Sequence, residues 1–106
     1  MNKLRNEIAI KGTDFILVPS YQNVAKFESV SGMGLYEFAA KLIYRQFTIT
    51  EIVKFVWAFS GADKEADVGE VLMDFGVGKT LDDISEFLKP FLATEEDTPQ
   101  KKPKSR

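Results

Sequence analysis

The chain has 106 residues, of which 44% are hydrophobic, and a formal net charge of −2 at pH 7. This length is typical of one domain with a single hydrophobic core. The sequence contains no cysteine and no histidine, which excludes disulfides, thiolate metal sites, and the commonest general base and metal ligand. The slight negative charge disfavours a protein that binds duplex DNA through its phosphates.

The hydropathy pattern gives no sign of a membrane segment. No apolar stretch approaches the roughly 20 residues that span a bilayer, and residues 1–7 lack the apolar core of a signal peptide. We therefore expect a protein of the cytoplasm that makes no contact with a membrane.

Residues 4–18 predict a β-hairpin. Ile8 and Ile10 alternate with more polar neighbours, residues 12–14 (Gly-Thr-Asp) favour a turn, and Pro19 ends an apolar second strand over 15–18. A hairpin alone is marginal in water, so its apolar face is expected to pack on the helices that follow.

Five helices are predicted after the hairpin. Ser20 caps the first, which ends at Gly32; the second spans 35–47; the third ends at Ser60, before Gly61. A fourth begins near Asp67 and ends at Gly76, and Thr80 caps a fifth that Pro90 should kink or close. Thr48 and Glu51 form a capping box at the start of the third helix.

Apolar residues recur at helical spacing along these segments. The expected buried positions are Leu35, Phe38, Ala39, Leu42 and Ile43 in the second helix, Val71, Leu72 and Phe75 in the fourth, and Leu81, Ile84, Phe87, Leu88, Phe91 and Leu92 in the fifth.

The patterns predict an α+β domain over residues 1–93, in which a two-stranded N-terminal hairpin packs on a bundle of four to five helices. Residues 94–106 contain no large apolar side chain and are expected to form a disordered charged tail.

The third helix has an unusually wide apolar face. It covers roughly 200° of the helix circumference at 100° per residue, whereas a surface helix needs little more than about 100°. Such a helix is either central to the fold or keeps one face for a partner. Most aromatic residues at such spacing belong to the core. Aromatic residues are also enriched at interface centres, and this indicates, as the alternative, a partner surface formed by Phe55, Trp57 and Phe59 together with Tyr44 of the second helix. Full burial of both Phe55 and Phe59 would contradict that assignment.

Two segments match a functional motif only in part. Residues 76–80 (Gly-Val-Gly-Lys-Thr) end like a P-loop, but Met73 stands where the motif needs glycine. The acids within 63–67 have the spacing of a calcium loop, but Val68 and Asp74 replace its required glycine and glutamate. The sequence therefore predicts no catalytic, cofactor-binding or metal-binding residue, and no enzyme.

Charge is unevenly distributed along the chain. Residues 63–86 carry eight acids and two lysines, which indicates ordinary helix capping and solvated faces or, alternatively, a side that meets a basic partner. The C-terminal Lys101, Lys102, Lys104 and Arg106 indicate a solubilising tail or a weak contact with nucleic acid.

The order of these features resembles the small tail assembly chaperones of tailed phages and prophages, in the branch that includes the related tail protein of gene transfer agents. The resemblance spans about residues 5–92. It rests on the 6–10 strand (Asn-Glu-Ile-Ala-Ile), the return at 15–17, the helix before Gly32, the helix over 35–42, the Thr48 and Glu51 cap, Ser60-Gly61-Ala62, the short helix at 70–72 before Gly76, and the Phe87-Leu88 and Phe91-Leu92 pairs.

The resemblance implies a non-catalytic binding role with no cofactor. Such proteins are thought to keep the long tape measure protein soluble while tail tube subunits polymerise around it. The partners implied are the tape measure protein or other tail proteins, and self-association stays open. The competing hypotheses are a structural tail component, such as a tube-associated or head–tail joining protein, and a small nucleic-acid-binding regulator.

Overall fold

The computed structural model describes residues 7–92, which form a two-stranded sheet followed by five α-helices and one 3-10 helix. The elements are β1 (Ile8–Ala9), β2 (Ile16–Leu17), α1 (Tyr21–Ser31), α2 (Leu35–Ile43), α3 (Ile49–Ser60), α4 (Glu65–Phe75), the 3-10 helix (Val77–Thr80) and α5 (Leu81–Leu92). This order confirms the α+β class. The first residues of the predicted hairpin and the predicted tail over 94–106 lie outside the described residues.

The hairpin is short and antiparallel, with Ile8 opposite Leu17 and Ala9 opposite Ile16. Its turn contains Gly12 at φ 91°, a conformation that side chains disfavour. A Cβ atom at this position would lie 2.5 Å from the Phe75 ring. Both the backbone angle and the close approach of Phe75 therefore require glycine in the turn.

Two sets of hydrogen bonds anchor the hairpin to the helices. The Val18 amide donates to the Phe59 carbonyl at 2.8 Å, and the Lys11 amide donates to the Asp83 carboxylate at 3.1 Å. The Lys11 ammonium also contacts Asp83, at 2.9 Å. These hydrogen bonds lower the pKa of Asp83 and raise the pKa of Lys11 relative to their ordinary values.

The predicted ends of α1 and α3 are confirmed. The Ser20 hydroxyl accepts a hydrogen bond from the Asn23 amide at 3.1 Å. The Thr48 hydroxyl accepts from the Glu51 amide at 3.1 Å, and the Glu51 carboxylate accepts from the Thr48 amide at 2.9 Å, completing the capping box. Gly32 and Gly61 follow the two helices with left-handed backbones.

The core is built around α3, which contacts α1, α4 and β2. Phe55 stacks on Phe38 of α2 with ring centroids 4.8 Å apart, and it meets the edge of Phe27 of α1 at 5.3 Å. Phe59 lies 4.6 Å from Phe55 and 5.1 Å from Phe87 of α5. One aromatic cluster thus joins four helices, which explains why the apolar face of α3 is so wide.

α2 is shorter than predicted. It ends at Ile43 rather than at 47, because the chain leaves the helix through a Schellman motif. The Gln46 amide donates to the Lys41 carbonyl at 2.8 Å and the Arg45 amide to the Leu42 carbonyl at 3.3 Å. Arg45 adopts the left-handed conformation, with φ 58°. Ile43, which was expected to be buried, is consequently exposed.

Several details of the last two helices also differ from expectation. α4 begins at Glu65, two residues before the expected Asp67, and Val71 faces solvent. Thr80 does not cap α5 with its side chain: its buried hydroxyl donates to the Val77 carbonyl at 2.7 Å within the 3-10 helix. Pro90 does not close α5, which continues through Leu92.

Candidate partner-binding surface

The structure contradicts two of the four predicted partner-binding residues. Phe55 and Phe59 are fully buried inside the aromatic cluster. Neither ring is available to a partner without unfolding of the domain, so both belong to the core. The wide apolar face of α3 reflects its central position rather than a free surface.

Trp57 lies at the edge of the core and is half-buried. Its indole N–H donates to the Asp63 carbonyl at 3.4 Å, and the Lys26 ammonium lies 4.0 Å from the ring centroid in a cation–π contact. The indole is therefore engaged within the domain on one face and at its polar edge. Its assignment to a partner surface stays a prediction.

Tyr44 lies on a surface that α2 leaves uncovered. Tyr36, Ile43 and Tyr44 are 63%, 70% and 71% exposed, respectively. Tyr36 and Ile43 are seven residues apart and therefore lie on the same side of the helix, two turns from each other. We call Tyr36, Ile43 and Tyr44 the α2 surface.

An apolar groove runs beside the α2 surface, between α2 and α5. Its volume is about 300 Å³, and it is lined by Ala39, Leu42, Ile43, Ser85, Leu88, Lys89 and Leu92. At the other end of the contact between the two helices, the Tyr36 hydroxyl donates to the Phe91 carbonyl at 3.2 Å. The groove and the α2 surface therefore share Ile43.

The geometry around this area is held by contacts at both ends of α2. At the start of the helix, the Glu28 carboxylate accepts from the Leu35 amide at 2.9 Å, which supplies the cap that Gly34 lacks. At its end, Lys41 pairs with Glu51 of the α3 capping box at 3.2 Å. The favourable spacing of Glu37 and Lys41 predicts a pair between them, but Lys41 reaches α3 instead. Contacts with α1 and α3 therefore hold the two ends of α2.

The partial motifs adopt ordinary secondary structure. Residues 76–80 are a glycine and the 3-10 helix that leads into α5. Of the acids with calcium-loop spacing, Asp63 lies in the loop before α4, and Glu65 and Asp67 lie in its first turn. Within residues 7–92, no group of three or more acidic side chains is placed to hold a metal ion. Among the helices of that same range, none combines the length and apolar character that a membrane span requires.

Comparisons with known proteins identify no relative of this chain. No protein-family profile, no curated protein and no solved structure matches the chain.

Sequence reasoning assigned Tyr44 to a partner surface and Ile43 to the core, whereas both side chains are exposed. The i, i+3, i+4, i+7, i+8 spacing assigns Ile43 to the buried stripe, and nothing in residues 44–47 marks a helix end by glycine or proline. The one available signal was the capping box at Thr48 and Glu51, which requires the preceding helix to end several residues earlier. An earlier end of α2 leaves Ile43 in its last turn, where neighbouring elements cover it least.

Proposed function

We propose that this protein is a non-catalytic tail assembly chaperone that binds the tape measure protein in the host cytoplasm during tail morphogenesis. The observation that carries the proposal is the exposure of Tyr36, Ile43 and Tyr44 beside the apolar groove between α2 and α5. Contiguous exposed apolar patches on soluble domains typically mark interaction sites. The family resemblance of residues 5–92 supplies the kind of client.

The chemistry of the α2 surface suits an amphipathic helix. Such helices bind by laying an apolar stripe, with anchors at i, i+3 or i+4, and i+7, into a hydrophobic groove. Tyrosines supply large contact areas and keep a hydroxyl for hydrogen bonding at the wet edge, as interface tyrosines do. A tape measure protein that has not yet been enclosed by tube subunits would expose helical stripes of this kind.

The size of the expected effect follows from burial. Covering one large aliphatic side chain contributes about 1.5–3 kcal/mol, and each ~1.4 kcal/mol is tenfold in affinity. Ile43 is largely uncovered in the domain. Replacing it with serine should therefore weaken client binding by about tenfold or more.

The test is co-expression of the chain with the tape measure protein of the same particle, with the soluble fraction of the tape measure protein as the readout. Ile43→Ser and Tyr44→Ser should each lower that fraction while leaving the chain itself folded. Tyr21→Ser is the matched control, because Tyr21 is also an exposed tyrosine but lies on α1. It should leave the soluble fraction unchanged.

A soluble fraction that does not depend on the chain, or that falls as much with Tyr21→Ser as with Tyr44→Ser, would contradict the proposal. The competing hypothesis of a structural tail component makes a different prediction, since it requires the chain to be present in purified particles. A chaperone is instead expected in the assembling cell and absent from finished particles.

A further inference from the structure

A second apolar groove lies between α3 and α4 and shares no residue with the α2 surface. Its volume is about 530 Å³, and it is lined by Ile49, Thr50, Val53, Glu65, Ala66, Gly69, Glu70 and Met73. We propose that this groove binds a basic amphipathic helix of a second partner protein. This role goes beyond the chaperone function and does not depend on it.

Two apolar side chains at the edge of the groove are exposed. Ile49, at the start of α3, is 49% exposed, and Met73, near the end of α4, is 59% exposed. Val53 and Gly69 lie one helical turn further along α3 and α4, where they face each other and form the floor. Methionine is flexible and adapts to differently shaped apolar partners. Exposed apolar side chains beside an apolar floor match the requirements for an inserted helix stripe.

The glycine in the floor is not explained by packing within the domain. Gly69 lies in the middle of α4, where glycine costs about 1 kcal/mol relative to alanine. A Cβ atom there would lie 3.6 Å from the nearest Val53 methyl, an ordinary van der Waals contact. The fold therefore tolerates alanine, and the glycine instead keeps the floor open so that another backbone can approach closely.

The acidic residues beside the groove indicate the kind of partner that it binds. α4 carries four acids, Glu65, Asp67, Glu70 and Asp74, and no basic residue. Lys54 pairs with Glu65 at 3.0 Å, whereas the other three acids have no ion pair within residues 7–92. No basic side chain lines the groove. An apolar groove with an acidic wall is complementary to a helix that carries lysine or arginine beside its apolar stripe.

The experiment uses a fluorescein-labelled peptide of about 18 residues, long enough to form a helix, with leucine at helical spacing and lysine elsewhere. A second peptide keeps the leucines and replaces every lysine with glutamate. Fluorescence anisotropy on the full chain should show that the lysine peptide binds at least about tenfold more tightly than the glutamate peptide. This preference should shrink as salt rises from about 0.05 M to about 0.3 M, because salt screens exposed charges. Equal affinity for the two peptides would overturn the proposal.

Substitutions test whether the lysine peptide binds in the groove between α3 and α4. Glu70→Lys should weaken binding of the lysine peptide about three- to tenfold, and Met73→Ser about tenfold, since both residues are exposed and line the groove. Glu86→Lys makes the same charge change at an exposed position of α5 and should alter affinity less than twofold. Ile43→Ser on the α2 surface should leave the affinity unchanged. Loss of binding in Ile43→Ser, or equal losses in Glu70→Lys and Glu86→Lys, would overturn the proposal.

Two other occupants give distinct results. If the basic C-terminus of this chain fills the groove, replacing Lys101, Lys102, Lys104 and Arg106 with glutamine should tighten peptide binding. If a second copy fills it, the chain should sediment as a dimer that Met73→Asp dissociates. Either result would overturn the assignment to a separate basic partner, whereas unchanged affinity and a monomer support it.

Discussion

Replacing Phe55 with alanine removes a ring that lies against four other phenylalanines. The ring centroids of Phe38, Phe59, Phe27 and Phe87 are 4.8, 4.6, 5.3 and 6.0 Å from that of Phe55. Burying Phe55 removes its whole side chain from water. The substitution should therefore destabilise the domain strongly, although Phe55 is also a residue that sequence reasoning assigned to a partner surface.

The magnitude follows from the surroundings of the ring. Truncating a buried phenylalanine to alanine costs about 3–5 kcal/mol, and the cost rises when the cavity cannot collapse. The four neighbouring rings belong to α1, α2, α3 and α5, so closing the cavity would require several helices to move together. We expect about 4–5 kcal/mol, near the upper end of the range. This is most of the stability of a marginal domain of this size.

Urea unfolding followed by the fluorescence of Trp57, the single tryptophan, measures the change. With a denaturant dependence of about 1.5 kcal/mol/M, the midpoint should fall by about 3 M. Tyr44→Ala, at an exposed position, should change the free energy of unfolding by less than about 0.5 kcal/mol. A loss below about 1.5 kcal/mol for Phe55→Ala, or a comparable loss for Tyr44→Ala, would refute the division between core and surface.

Three further changes in unfolding free energy are expected. Gly69→Ala should raise it by about 0.5–1 kcal/mol, because the new methyl meets Val53 at an ordinary distance. A lower free energy of unfolding, measured in urea, would mean that α4 packs against α3 too closely to accept a methyl group. Arg45→Gly should raise it by about 0.5–1 kcal/mol by relieving the left-handed backbone, and Arg45→Ala at the same site should not. The hydrogen bond with Lys11 lowers the pKa of Asp83. The ionised Asp83 therefore stabilises the fold fully above the ordinary aspartate pKa, and the fold loses this stabilisation as the pH falls through the lowered pKa of Asp83. Asp83→Asn should flatten that part of the acid-unfolding profile, and an unchanged profile would show that the contact contributes nothing.

Features set by local chemistry were predictable. The Ser20 cap, the capping box of Thr48 and Glu51, and the ends at Gly32 and Gly61 each depend on residues next to one another in the chain. The antiparallel hairpin follows from a turn flanked by apolar residues for the same reason. In these places the sequence pattern and the structure agree because no distant contact decides the outcome.

Features set by tertiary contacts were not predictable from spacing alone. Periodicity identified an apolar face on α3 but could not tell that α1, α2 and α5 cover Phe55 and Phe59. It likewise could not tell that the backbone of Arg45 would turn left-handed and leave Ile43 uncovered. The candidate site therefore appeared only once the helix end was known.

Thr80 illustrates a different error. A threonine between a glycine-rich segment and an apolar helix normally caps that helix. Here the 3-10 helix runs directly into α5, so the chain has no extended residue at the junction. The hydroxyl turns back to the Val77 carbonyl instead. Side-chain capping needs an extended cap residue, which the sequence of residues 76–80 does not reveal.

Amide hydrogen exchange with and without the bound tape measure protein tests the central claim most directly. The account predicts slower exchange in α2 and in the C-terminal half of α5, where the α2 surface and its groove lie. The hairpin should show no change. Protection confined to other elements, or no protection at a client concentration that saturates binding, would contradict the claim that this surface holds the client.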